Sequence, residues 1–65
     1  MITKAVRKAN GISTQKAVEY IKEQEQKLIT ISKSRKLGYF EYENACITLN
    51  IPVAFINYFR FKMGE

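Results

Sequence analysis

Hydrophobic residues in the first half of the chain recur every three or four positions, which is the spacing of amphipathic helices. Residues 2–10 form a first short helix of this kind, and Gly11 with the asparagine before it ends that helix, because both tolerate a left-handed backbone. Ser13 is placed to cap a second helix over residues 14–32. A helix as short as the first is marginal alone, so residues 1–11 are alternatively a flexible basic arm.

The end of the second helix is less sharply marked. Residues 28–32 (LITIS) alternate β-branched side chains as a strand would, and residues 39–42 or 46–49 would then be the partner strand. A helix is the preferred interpretation because nothing earlier in the segment stops it. Gly38 is then expected to end the helix in the left-handed conformation. The cations of residues 33–36 would complement the negative end of the helix dipole.

The second half of the chain predicts two more helices separated by a tight turn. Apolar residues recur at helical spacing over residues 39–49, and Asn50 is expected to take the left-handed conformation. Pro52 suits the first turn of a last helix, which would run to about Met63. The expected fold is therefore all-α, with residues 1–65 forming one domain of three to four short helices that ends in a helix-turn-helix-like pair.

The spacing across this turn matches the needs of a helix-turn-helix. Such a motif has a small residue and then an apolar residue on its first helix, a turn residue that tolerates positive φ, and two apolar anchors that follow. These roles fall, in that order, on Cys46, Leu49, Asn50, Ile51 and Ile56. Over about 20 residues the chain therefore resembles the small helix-turn-helix DNA-binding regulators of bacteria and their phages. It departs from their usual pattern in having asparagine where glycine is commonest and cysteine where alanine is commonest.

The resemblance implies that the last helix is a recognition helix, lying in the major groove of double-stranded DNA. Asn57 would make a bidentate contact to adenine. Phosphate contacts would come from Tyr58, Arg60 and Lys62 on the last helix and from Lys33, Arg35 and Lys36 in the basic segment. The function implied is transcription regulation by occupancy of DNA, without catalysis.

The apolar character of the last helix supports a second hypothesis. A helix that is apolar on all sides is usually buried, and a chain of 65 residues cannot enclose it alone. Large exposed aromatic patches mark sites of protein–protein interaction. Under this alternative the chain is a small protein-interaction module that binds another protein, or a second copy, through Phe55, Tyr58, Phe59 and Phe61.

The composition narrows the classes of function. Eleven lysines and arginines against six glutamates give a net charge of +5, which attracts polyanions such as DNA but is also ordinary for a small domain. The chain has no histidine, no aspartate and one cysteine. Because these are the residues of internal disulfides, zinc sites and catalytic bases, we expect no enzyme, no metal and no cofactor.

The size of the chain bears on its partners and its location. A core this small, without a disulfide or a metal, favours self-association, so we expect a homodimer. No apolar run approaches the ~20 residues that span a bilayer, and no signal-peptide pattern is present. With no pair of cysteines for a disulfide, we expect a cytoplasmic protein without a membrane partner.

Overall fold

The chain folds into four α-helices, as seen in a computed structural model that describes residues 1–64. Glu65, the last residue of the expected domain, lies outside the described residues. The helices are α1 (Ile2–Asn10), α2 (Thr14–Ser32), α3 (Tyr39–Thr48) and α4 (Ile56–Lys62), with a 3₁₀ turn at Val53–Phe55. No strand occurs within residues 1–64, and residues 28–32 belong to α2. The all-α prediction is confirmed, and the strand alternative is wrong.

The junction between α1 and α2 follows the local signals in the sequence. Gly11 takes the left-handed conformation, with φ 61° and ψ 39°, and ends α1. The Ser13 hydroxyl then accepts a hydrogen bond of 3.2 Å from the backbone N–H of Lys16, in the first turn of α2. These contacts satisfy backbone groups that a helix end otherwise leaves without partners.

The connection between α2 and α3 differs from the expectation. Gly38 is extended, with φ −114° and ψ 179°, and it precedes α3 as its N-cap residue. The predicted left-handed terminator at Gly38 is therefore wrong. The last carbonyls of α2 are instead satisfied by a tight turn, in which the N–H groups of Ser34 and Arg35 both donate to Ile31 O, over 3.0 and 3.1 Å. A left-handed residue is not needed where such a turn already pairs these groups.

The turn before α4 combines a confirmed and a corrected prediction. Asn50 has φ 58°, the left-handed conformation expected for it. Pro52 is extended, with ψ 147°, and lies outside the helix instead of in its first turn. The Phe55 N–H bonds three residues back, to Pro52 O, so the segment starts as a tighter 3₁₀ turn. The α-helix proper begins only at Ile56.

The core lies where α1 packs on α2, and α3 packs on α2, α4 and the 3₁₀ turn. Its largest fully buried side chains are Tyr42, Phe59, Val6 and Cys46. Gln24 is a polar residue of α2 that is buried with the apolar stripe. Packing of these faces supplies most of the stability of such short helices, because each would be marginal in isolation.

Two asparagines tie the end of α1 to the turn before α4. The Asn10 side-chain amide donates to Val6 O and to Leu49 O, each over 2.9 Å. The Asn50 amide donates in turn to Asn10 Oδ1 over 2.8 Å. The sequence indicated both residues as helix stops, but not that they bond to each other.

Candidate nucleic-acid interface

The last helix has one buried side and one exposed side in the folded chain. Ile56 and Phe59 point into the core, and Phe59 is fully buried. Asn57, Arg60 and Phe61 are exposed, and their spacing of three and four residues places them on one side. We call these three residues the outer face of α4. The side of α4 that faces solvent is therefore partly polar, although most residues of this segment are apolar.

Arg60 lies beside the connection between α2 and α3. A shallow depression of about 130 Å³ is lined by Leu37, Gly38, Tyr39, Tyr42 and Arg60. Leu37 directly follows the basic segment of residues 33–36, all of which are exposed. The fold therefore places Arg60 of the outer face close to the connection that contains this basic segment. Residues more than 20 positions apart in the chain thus contribute to one basic surface.

Within the basic segment, Arg35 is already engaged by a carboxylate. Its Nη1 lies 2.7 Å from Glu41 Oε2, and Glu41 Oε1 accepts a hydrogen bond of 2.7 Å from the Gly38 N–H. The Gly38 N–H and then the Arg35 guanidinium lower the pKa of Glu41 below its ordinary value. Arg35 therefore holds the start of α3 in place, and Lys33 and Lys36 are the other exposed cations of this segment.

Tyr58 and Lys62 face away from the outer face of α4, towards α2. The Tyr58 hydroxyl donates a hydrogen bond of 2.7 Å to Glu25 Oε2, and Lys62 Nζ lies 5.6 Å from the centre of the Tyr58 ring. Burial, followed by the hydrogen bond to Glu25, raises the pKa of Tyr58 to about 12. Tyr58 therefore docks α4 on α2, and its hydroxyl is not directed outward as a phosphate contact would be.

The aromatic set of the alternative hypothesis is divided by the fold. Phe59 is 0% exposed and belongs to the core, so its predicted place on a partner-binding surface is wrong. Phe55 is half-buried against the core, as is Tyr58. Phe61 is 80% exposed and is the only member of this set that is available in full to a partner.

Large apolar side chains outside this aromatic set are also exposed. They include Tyr39, Phe40, Ile47 and Val53. Val53 has the spacing of the buried residues Ile56 and Phe59 in an α-helix, but it lies in the 3₁₀ turn, whose winding differs from that of an α-helix. The signal for Phe40 and Ile47 was present in the sequence, because both fall off the buried side of α3 that Tyr42 and Ala45 define.

The positions that carry the helix-turn-helix resemblance lie in the core or in the turn before α4. Cys46, Leu49, Ile51 and Ile56 are buried, and Asn50 is left-handed. Burial, with a smaller contribution from the Glu43 carboxylate, raises the pKa of the Cys46 thiol. Cys46 is therefore a small core residue in this fold. The resemblance itself stays a prediction.

No protein-family model, curated protein sequence or solved structure matches this chain. Over residues 1–64, none of the helices combines the length and apolar character that crossing a membrane requires. In the same part of the chain, histidine, cysteine and acidic side chains form no group of three that could hold a metal ion.

Proposed function

We propose that this protein binds double-stranded DNA and acts by occupancy. The observation that supports this is the position of Arg60 on the outer face of α4, next to the connection that contains the basic segment. An exposed amide, an exposed guanidinium and nearby lysines form the pattern of groups that reads base edges and holds phosphates. The net charge of +5 adds an attraction to DNA that does not depend on the DNA sequence.

Each residue of the interface has a distinct role in this proposal. Asn57 contacts a base edge from the outer face of α4, as a bidentate partner of adenine. Arg60, Lys33 and Lys36 contact phosphates. Lys62 lies over the Tyr58 ring on the other side of α4, so it adds only to the net charge. Arg35 acts through Glu41 by holding the start of α3, so its contribution to DNA binding is indirect.

The test is fluorescence anisotropy of labelled mixed-sequence duplex DNA, titrated with the protein at several salt concentrations. We expect binding at low salt that weakens steeply as salt increases. Lys36→Ala should weaken binding and make the slope of log K against log salt less negative by about 0.9, the value for one lost phosphate contact. Lys16→Ala is the matched control, because it removes the same charge near the opposite end of α2 and should leave the slope unchanged.

Two outcomes would contradict this proposal. One is the absence of binding at low salt, which a basic interface of this kind would have to produce. The other is an equal effect of Lys36→Ala and Lys16→Ala, since that would indicate attraction to the net charge alone. In either case the basic segment would not be a phosphate-binding site.

A second function, binding to another protein, is supported by one specific observation. Phe61 is 80% exposed beside Arg60, and aromatic and arginine side chains dominate the binding energy of protein interfaces. Under this proposal, Phe61→Ala should abolish capture of the partner, while Lys36→Ala should change it little. Pull-down with each variant separates the two functions. If Phe61→Ala retains all binding, the hypothesis of a partner-binding surface on α4 is wrong.

A further inference from the structure

A stripe of exposed residues runs along α3, on the side away from its buried residues. Phe40 is 71% exposed, Asn44 is exposed, and Ile47 is 61% exposed. Their spacing of four and then three residues places them in one row along two turns of the helix. Large apolar side chains grouped in this way on a small protein indicate an interaction site.

A groove between α2 and α3 lies next to this stripe. Its wider part has a volume of about 490 Å³ and is lined by Glu23, Gln26, Lys27, Thr30, Ile31 and Asn44. A narrower part of about 130 Å³ continues from Lys27, Ile31 and Asn44 to Phe40 and Arg35. The protruding apolar side chains and the hollow are therefore on the same face, which we call the α2–α3 face.

The charge of the α2–α3 face differs from that of the rest of the molecule. Its groove carries Glu23 and Lys27, while Glu43 flanks the stripe and Arg35 is neutralised by Glu41. This face is near neutral in a chain whose net charge is +5. Two copies of so basic a chain repel each other, and the repulsion is smallest where no excess of cations is present.

The same face is also complementary to itself. Glu23 and Lys27 are opposite charges one helical turn apart, so a twofold axis level with their midpoint would bring Lys27 of one copy opposite Glu23 of the other. In a twofold interface each surface patch must fit its own copy, which requires a protrusion and a hollow together. The α2–α3 face has both, whereas the basic surface beside α4 would place like charges against each other.

We propose that a second copy of this chain docks on the α2–α3 face and forms a twofold-symmetric dimer. The α3 helices run antiparallel across the axis, which passes near Asn44, and Phe40 of each copy enters the groove of the other. A stable interface buries about 800 Å² on each partner, roughly a fifth of the 4469 Å² that the chain exposes. The interface therefore extends from the stripe across the groove onto α2. This proposal does not depend on DNA binding.

The first test is the mass of the full chain in solution, measured by light scattering after size-exclusion chromatography over a range of concentrations. We expect twice the monomer mass of 7.6 kDa for the unchanged chain. Phe40→Ser together with Ile47→Ser should give the monomer mass with an unchanged circular-dichroism spectrum, since both residues are exposed. Phe61→Ser is the matched control, because it removes a phenylalanine of similar exposure (80%) from α4 and should leave the dimer intact.

A second measurement locates the axis without removing any apolar contact. With Asn44→Cys, mild oxidation should produce a covalent dimer, because residues near a twofold axis meet their own copies. The unchanged chain should give none under the same conditions, since its single thiol at Cys46 is buried. Monomer mass at every concentration would overturn the proposal, as would a dimer that survives the double substitution or an Asn44→Cys variant that does not cross-link.

Discussion

At the scale of single residues, the Glu41 side chain makes two structural contacts at once. Its carboxylate caps α3 through the Gly38 N–H and holds Arg35 of the preceding connection. An acidic residue in the first turn also suits the positive end of the helix dipole. The cap was not predicted, because Glu41 reaches back three residues to a glycine that was expected to end the helix before it.

Glu41 is expected to make the stability of the fold depend on pH. The folded chain lowers the pKa of Glu41, so its stabilisation is fully present above the ordinary value of about 4.3 and is lost as the pH falls through the lower folded value. Glu41→Gln should therefore lower the free energy of unfolding at neutral pH, and this difference should shrink in acid. Urea unfolding at several pH values measures it.

The matched control for this experiment is Glu43→Gln. It removes one carboxylate from the same helix without touching the Gly38 N–H or Arg35, so it should cost less at neutral pH than Glu41→Gln. A difference between wild type and Glu41→Gln that stays constant from neutral to acidic pH would contradict the role of the Glu41 carboxylate as a cap.

At the scale of elements, α4 is too short to persist without the rest of the fold. It has seven residues, whereas isolated helices below about 12–15 residues are marginal in water. Phe59 anchors it in the core, and Tyr58 bonds it to Glu25 of α2, 33 positions earlier in the chain. The orientation of the outer face of α4 therefore depends on contacts between helices and not on the helix itself.

Removal of the hydroxyl that docks α4 on α2 should destabilise the fold. Tyr58→Phe keeps the ring but leaves the Glu25 carboxylate without its donor, and we expect a loss of about 1 kcal/mol in the free energy of unfolding. Tyr39→Phe is the control, because Tyr39 is exposed and its variant should unfold at the same urea concentration as wild type. Equal unfolding midpoints for wild type and Tyr58→Phe would show that this hydrogen bond does not stabilise α4.

At the scale of the whole molecule, charge is distributed unevenly over a body of 33 × 19 × 17 Å. The basic segment and Arg60 share one end, and the α2–α3 face is near neutral. The proposed DNA binding and the proposed self-association therefore concern different surfaces, so a substitution on one surface can be used as a control for the other. The sequence showed the net charge and its clusters, but only the packing of α4 beside the α2–α3 connection brought Arg60 to the basic segment.

The sequence by itself determined the helices and most of their ends. Gly11 and Ser13 act through neighbours within four residues, and the left-handed backbone of Asn50 follows from its residue type, so these features were predicted correctly. The tertiary structure decided which sides of α3 and α4 are exposed. Whether Phe59 is buried and Phe61 exposed depends on which helix covers each side, and those contacts join residues far apart in the chain. Local spacing marks the apolar side of a helix, as it does for α3, but it does not show which helix covers that side, and that depends on the fold.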